Sequence, residues 1–172
     1  MKHLAIPAAL FLLCLALPAS LSARDKKHDL DLGGMDRAFV GWVALDPESY
    51  YDLGYSRAEW EDVISHENLK FHQDMKRQCS GGWTVAGAKD SKDENTAGND
   101  LYIKFSDASF STGYVLSLSV HFINLKTNSE MASIPAHKYG GHLCGLAACL
   151  EQELDEVNRK LEEKLGCAVP ER

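Results

Sequence analysis

A histidine and two serines share one face of the clearest predicted strand, and this set is the first candidate for chemistry. In the segment 114–122, Ser117, Ser119 and His121 alternate with apolar residues and therefore point away from the core. A hydroxyl beside an imidazole could be an activated nucleophile, but catalysis also needs an orienting acid and an oxyanion site. The sequence shows neither, and it has no G-x-S-x-G motif. We therefore assign no catalytic residue and expect a hydrated sheet face with a hydrogen-bonded histidine.

Histidine and cysteine also cluster after the predicted strands, where they raise the question of a metal site. His137 and His142 flank a Gly-Gly turn and Cys144 follows, so a zinc site with these three ligands can be drawn. Closed structural zinc sites have tighter ligand spacing, and Cys144 is better used in a disulfide. The acidic loop 89–100 lacks the ordered D-x-[DN]-x-[DN]-G pattern of a calcium loop. We therefore expect no metal ion and no cofactor.

Tyrosines in predicted loops are the candidate contact residues for a partner protein. Tyrosine combines a large apolar ring with a polar hydroxyl group, and it is enriched in protein–protein interfaces. The three histidines named above belong to the same candidate set. The candidate binding residues are Tyr50, Tyr51, Tyr55, Tyr139, His121, His137 and His142.

Two helices are predicted to carry apolar faces that cover the sheet. Ser56 and Glu59 have the spacing of a capping box, which predicts that the first helix occupies 57–79. His66 and His72 are six residues apart on this helix. We expect them on different sides of the helix, both as solvated surface residues.

The last helix is predicted over 146–165, because leucine and valine recur there every three or four residues. Gly166 follows in the position of a carboxyl-terminal cap. The apolar stripe could be a coiled-coil seam that faces a partner, or it could belong to the domain's own core. The stripe is only about three heptads long, and the sheet needs apolar cover. We therefore predict that it is buried within the domain.

Five short β-prone segments are predicted as strands between and beside the helices. Lys126-Thr127-Asn128 is predicted to connect the last two strands as a hairpin turn, and Pro135 is expected to end the fifth. The element order β-α-β-β-β-β-α predicts an α+β fold, with two helices packed on one face of a mainly antiparallel sheet. The predicted strands are 39–45, 83–88, 101–105, 114–122 and 130–134.

The amino terminus has the composition of a cleavable secretory signal peptide. Lys2 precedes an apolar run, 4–17, and small residues follow up to Ala23, after which cleavage is expected. A membrane anchor would need about 20 apolar residues, whereas Pro7 interrupts this shorter run and Pro18 ends it. The predicted organisation is a signal peptide at 1–23, a flexible polar leader at 24–37, a single α+β domain at 38–167 and a carboxyl-terminal tail at 168–172.

Four cysteines remain after cleavage, and an oxidising compartment would pair them. Cys149 and Cys167 are 18 residues apart along the last helix, which corresponds to about 27 Å, whereas a disulfide needs Cα atoms within about 7 Å. The same argument excludes Cys144 with Cys167, which are further apart along the chain. The remaining connectivity is Cys144–Cys149 with Cys79–Cys167. The alternative is that some thiols stay free and buried.

The charge of the chain narrows the classes of partner. The formal net charge is −7, and no cluster of lysine and arginine is present to neutralise a phosphate backbone. The same negative sign opposes adsorption to anionic lipid headgroups. We therefore expect no nucleic-acid partner, and no membrane span after signal cleavage.

The chain resembles small exported bacterial proteins of unknown function. The resemblance rests on a strand and a long helix, followed by the meander from Asn99 to Asp107 and the strand from Tyr114 to Phe122. The element order and the Lys-Thr-Asn turn are also distantly similar to envelope α+β domains, namely the amino-terminal domain of TolB and the curli secretion protein CsgG. The resemblance covers 38–165 and brings no catalytic motif. It implies a non-enzymatic role in the cell envelope.

The sequence therefore predicts a periplasmic or secreted module that binds another envelope or extracellular protein. Recognition is expected at the tyrosine-bearing loops and at a free edge or face of the sheet. The alternative is a small secreted hydrolase or metal-dependent enzyme that uses histidines of the sheet face or of the loop 137–142.

Overall fold

The computed structural model describes residues 30–45, 54–110, 115–139 and 145–167. Within these ranges the chain forms five strands and two helices in the predicted order. The predicted signal peptide and carboxyl-terminal tail lie outside them. The strands are β1 (Arg37–Val40), β2 (Thr84–Gly87), β3 (Leu101–Phe110), β4 (Val115–Asn124) and β5 (Ser129–Tyr139), and the helices are α1 (Arg57–Gln78) and α2 (Leu146–Leu165).

The five strands form one mixed sheet with the order β2-β1-β3-β4-β5. β1 is parallel to both of its neighbours, and α1 provides the crossover from β1 to β2. The longer strands β3, β4 and β5 pair antiparallel. The predicted α+β fold class is confirmed, and the parallel pairs at β1 are a feature that the sequence pattern does not show.

β1 is shorter than the predicted strand 39–45, because the chain leaves the sheet after Gly41. The amide of Gly41 still donates to the carbonyl of Ile103 at 2.8 Å. Two residues later, the side-chain oxygen of Asn68 accepts from the amide of Val43 at 2.8 Å, and Asn68 Nδ2 donates to the Val43 carbonyl at 2.9 Å. A buried asparagine of α1 thus supplies the hydrogen bonds that a neighbouring strand would otherwise supply.

The prediction that Pro135 ends the fifth strand is wrong. β5 continues to Tyr139, and Pro135 is paired with Ser119 of β4. Proline has no amide proton, so it is tolerated where the missing donor would face away from the sheet. β5 lies at the edge of the sheet, and it therefore accommodates the proline.

The first helix begins as the sequence predicts. Ser56 Oγ accepts a hydrogen bond from the Glu59 amide at 3.3 Å, and the Glu59 carboxylate accepts one from the Ser56 amide at 2.9 Å. This pair is the predicted capping box, and it satisfies amides that a helix start leaves without partners.

The apolar stripe of α2 is buried in the core, as predicted. Its leucines and valine pack with side chains of α1 and with the inward residues of β1, β3 and β4. α2 ends at Gly166, which has a left-handed φ of 66°, and the Cys167 amide donates to the Glu162 carbonyl at 2.9 Å. Within the described chain, neither helix is long and apolar enough to cross a membrane.

A disulfide joins the ends of the two helices. Cys79 follows α1 and Cys167 follows α2, and their Cα atoms are 4.7 Å apart. Because this bridge is one of the two predicted, that pairing is confirmed. Cys149 is buried and disulfide-bonded. Its predicted partner, Cys144, lies outside the described residues, so the second pairing stays a prediction.

The chain before β1 contacts the core. Leu30, Leu32 and Met35 are partly buried against it, and the Met35 amide donates to the Leu32 carbonyl at 3.0 Å. These residues belong to the predicted polar leader, whose first residues, 24–29, lie outside the described ranges.

Candidate functional site on the open sheet face

One face of β3, β4 and β5 is turned away from the helices, and it carries mainly polar side chains. Alternation along β4 buries Leu118, Val120 and Phe122 and leaves His121 on the opposite side. The side chain of His121 retains 22% of its accessible surface. We call this surface the open face; its residues are Tyr102, Lys104, Ser106, Ser109, Ser117, Ser119, His121, Ile123, Glu130, Ser133 and Pro135.

His121 forms polar contacts with both neighbouring strands. Its Nε2 atom lies 2.7 Å from Ser106 Oγ on β3, and its Nδ1 atom lies 3.2 Å from Glu130 Oε2 on β5. Ser106 Oγ is also 2.8 Å from Asp107 Oδ2. These four side chains, the His121 network, connect three strands through side-chain contacts alone.

The hydroxyl proton of Ser106 has two neighbouring acceptors. A carboxylate only accepts hydrogen bonds, so Asp107 can take this proton through its contact at 2.8 Å. A general base needs a bare Nε2 facing the hydroxyl, and Asp107 therefore competes with His121 for the same proton. The geometry suits a fixed polar network better than a nucleophilic serine.

A β-bulge positions Asp107 beside Ser106. The pairing of β3 with β4 shifts between Ser106 and Ser109, and Asp107 has a φ of 53°. This left-handed conformation is uncommon for a residue other than glycine, although aspartate tolerates it better than most. Beyond the bulge, the hydroxyl oxygens of Ser109 and Ser117 are 2.8 Å apart. The bulge therefore turns a carboxylate toward the network while the neighbouring hydroxyls bond to each other.

The histidine contacts a different serine from those that the sequence suggests. His121 contacts Ser106, whereas Ser117 contacts Ser109. Ser106 and Glu130 are separated from His121 by 15 and 9 residues, on other strands. Only the strand register brings them together, so the spacing along β4 could not identify them. The carboxylate beside the histidine, which the sequence did not show, is that of Glu130.

Tyr55 has a structural role at the start of α2. Its hydroxyl accepts a hydrogen bond from the Leu146 amide at 2.9 Å, and its ring lies 5.9 Å from the ring of Trp60. No side chain of Gly145 can cap this helix, so the tyrosine hydroxyl satisfies one of its free amides. Tyr55 therefore ties α1 to α2, and a role for it in binding stays a prediction.

Two of the other predicted binding residues lie on β5. His137 pairs with Ser117 in the register of β5, and Tyr139 is the last residue of that strand. In the parts of the chain that the structure describes, no three acidic, histidine or cysteine side chains are grouped to hold a metal ion. Tyr50, Tyr51, His142 and Cys144 lie outside the described residues.

The prediction that His72 is a solvated residue is wrong. Only 8% of His72 is exposed, and its Nε2 atom lies 2.9 Å from the carbonyl oxygen of Gly41. Gly87 makes room for the ring, since a Cβ atom there would lie 2.6 Å from it. Burial lowers the pKa of His72, against the opposing effect of hydrogen bonds to the backbone of Gly41 and Ala88. His72 therefore holds the end of β1 against β2. His66 is exposed, as predicted.

Comparisons with known proteins give distant structural likenesses only. The chain matches no protein-family model and no curated protein. A PelC dodecamer from Paraburkholderia phytofirmans is 15% identical, with a TM-score of 0.46 over 78% of this chain and 90% of that chain. A putative neuraminyllactose-binding hemagglutinin homolog from Helicobacter pylori is 9% identical, with a TM-score of 0.44 over 77% and 89%. Lipoprotein GNA1162 from Neisseria meningitidis is 13% identical, with a TM-score of 0.36 over 73% and 95%.

Likenesses at this distance carry no argument about function. What the fold and the site define is an α+β module with a mixed sheet, a disulfide between its two helices and a polar open face. The resemblance to TolB and CsgG stays a prediction.

Proposed function

We propose that the mature protein is an exported, non-enzymatic module of the cell envelope that binds another protein through its open face. The observation that carries the proposal is the exposed, ordered polar surface of β3, β4 and β5. The helices pack on the other side of the sheet, and the apolar stripe of α2 is buried in the core. Among the described residues, the open face is therefore an extended surface of sheet that is left for a partner.

The disulfide supports the exported location. Disulfides form and persist in oxidising compartments and are rare in the cytosol. The bridge between Cys79 and Cys167 fits a protein whose amino-terminal segment 1–23 directs export. Exported protein purified from its source should begin at Arg24, and intact-mass measurement reads this directly. An intact mass that includes residues 1–23 would contradict the export proposal.

The face of the sheet is a better recognition surface than its edges. β2 is an edge strand of only four residues. β5 is a long edge strand, but Pro135 interrupts its row of amides, and its pairing shifts opposite Phe122 and Ile123. Prolines and bulges are features that discourage the addition of another strand. A partner on the open face would instead meet hydroxyl, imidazole and carboxylate groups in a polar, hydrogen-bonded interface.

The hydrolase alternative has one observation in its favour, the Ser106–His121–Glu130 contacts. The hydroxyl proton of Ser106 also has Asp107 as its acceptor at 2.8 Å, which competes with transfer to the histidine. A fluorophosphonate probe, which labels activated serines, tests this alternative. We expect no labelling of Ser106. Labelling that disappears in a His121→Ala variant would overturn the non-enzymatic proposal.

Site-specific photo-crosslinking tests the binding proposal. A photoreactive amino acid replaces the exposed Ser133, which lies opposite His121, and in a matched control it replaces the exposed Gln152 on α2. Irradiation is carried out in the producing cells. We expect one discrete adduct from position 133, lost when Lys104→Glu reverses a charge on the open face, and none from position 152. Equal adducts from both positions, or none from 133, would count against the open face as the binding surface.

A further inference from the structure

A crevice of about 380 Å³ is lined by residues that are separate from the His121 network. It opens beyond the last residues of β1 and β2, against the first half of α1. Its walls come from the chain after β1 (Trp42 to Leu45), from the chain after β2 (Lys89 to Ser91) and from α1 (Trp60 to Ser65). In open α/β sheets, the usual place for a ligand is a crevice outside the carboxyl ends of parallel strands. β1 and β2 are such a pair, and α1 is their crossover.

The walls of the crevice are held by buried hydrogen bonds. Asn68 bonds to both backbone groups of Val43, and His72 bonds to the carbonyl of Gly41, so the backbone that carries Trp42 is fixed on both sides. The Trp42 ring lies edge-on to the His72 ring at 6.1 Å. A site built on a fixed backbone needs little ordering when a ligand enters, which favours binding.

The opposite wall is a turn that its own side chains stabilise. Asp90 Oδ1 accepts from the Lys92 amide at 2.8 Å, and Asp93 Oδ2 accepts from the Lys89 amide at 3.0 Å. The hydrogen bond from the Lys89 amide is the main reason that the pKa of Asp93 is lowered. Lys89 and Asp90 are therefore presented to the crevice by an ordered turn.

The lining combines an apolar floor with a mixed polar rim. Trp42, Leu45, Trp60 and Ile64 supply ring and aliphatic surface, and Glu61, Ser65, Lys89 and Asp90 stand around it. Glu61 is paired with the Arg57 guanidinium at 2.7 Å, and Lys89 offsets the charge of Asp90, so the rim has no excess charge that would favour an ionic ligand. Carboxylates accept hydrogen bonds, lysine donates them and serine does both. This combination suits a neutral ligand that has several hydroxyl groups and also an apolar face.

We propose that this crevice binds a neutral sugar of the N-acetylhexosamine class. The apolar face of the sugar ring lies on Trp42, and the rim exchanges hydrogen bonds with the sugar hydroxyls. The N-acetyl methyl group packs on Leu45 and Ile64. The volume is near the lower end of the roughly 300–1,000 Å³ that is usual for ligand pockets, which matches one or two sugar rings. This site is independent of the proposed protein-binding face.

Titration of the mature protein with N,N′-diacetylchitobiose tests the proposal. We expect a change in tryptophan fluorescence with a Kd on the order of 1 mM or tighter, and weaker binding of cellobiose, which lacks the acetyl groups. Amide shifts in a two-dimensional NMR spectrum should be confined to residues 42–45, 60–65 and 89–91. Absence of any change at about 10 mM sugar, or equal binding of cellobiose, would overturn it.

Two substitutions in the lining test whether the sugar binds in this crevice. Trp42→Ala should weaken binding by about tenfold, the usual scale for loss of one aromatic contact. Glu61→Gln keeps the shape of an exposed side chain, so it tests the rim without risk to the fold, and it should weaken binding several-fold. Gln152→Ala on α2 is the control and should bind normally. Unchanged affinity in both crevice variants would place the sugar elsewhere. The crosslinking result at position 133 is unaffected by either outcome.

Discussion

Removal of the Cys79–Cys167 disulfide should lower the free energy of unfolding substantially. The bridge closes a loop with a sequence separation of 88. In the chain-entropy account, opening such a loop costs about 4.6 kcal/mol at 25 °C. A domain of this size is stable by only about 5–15 kcal/mol, so the loss is a large fraction of the total. Replacing both residues by alanine avoids an unpaired thiol, and Cys79 is fully buried, so a small apolar side chain suits the position.

Urea unfolding followed by circular dichroism measures this loss in four proteins: the mature chain, Cys79→Ala, Cys167→Ala and the double variant. Each single variant already opens the loop, so the double variant should be no less stable than either. The dependence of the unfolding free energy on urea should become steeper, because an open chain exposes more surface when it unfolds. A double variant within about 1 kcal/mol of the parent, or single effects that simply add, would refute the loop-closure reasoning.

Three further predictions concern buried contacts. Because burial lowers the pKa of His72, the unfolded chain binds a proton that the native chain does not, so stability should fall as the pH drops below about 6.5. In His72→Gln the urea midpoint should depend less on pH between about pH 7 and pH 5 than it does in the parent protein. An equal dependence on pH in both proteins would contradict this. Asn68→Ala leaves both backbone groups of Val43 without their partner and should lower the free energy of unfolding by about 2–3 kcal/mol, measured in urea. A decrease below about 0.5 kcal/mol would show that Asn68 is not needed to satisfy the Val43 backbone. Gly87→Ala forces a methyl group against the His72 ring and should cost roughly 1–3 kcal/mol, whereas Gly82→Ala, with open space around it, should be nearly neutral in the same assay.

Local patterns were sufficient to predict the elements of this fold. The capping box at Ser56 and the glycine at Gly166 define helix ends through hydrogen bonds within a few residues, so neighbouring sequence determines them. The rigid length of α2 also excludes two cysteine pairings on its own, and it leaves the bridge between Cys79 and Cys167 when all four thiols are paired.

The residues at which the strands end depended on more than the β-propensity of the local sequence. Residues 42–45 have β-prone side chains, yet they leave the sheet because Asn68, 25 residues further on, takes the backbone bonds of Val43. Pro135 is a strand breaker by type, but it lies within β5 because β5 is at the edge of the sheet. In both cases a distant partner or the position in the sheet outweighed the local preference.

By itself, the sequence determined the element order, the helix ends, which cysteine pairings are excluded and which side of β4 is polar. Only the tertiary structure decided which groups touch His121, that His72 is buried, and that a crevice opens where β1 and β2 end. The physical reason is the sequence separation over which each interaction acts. Periodicity and capping act over a few residues, whereas Ser106, His121 and Glu130 meet only through the pairing register of three strands.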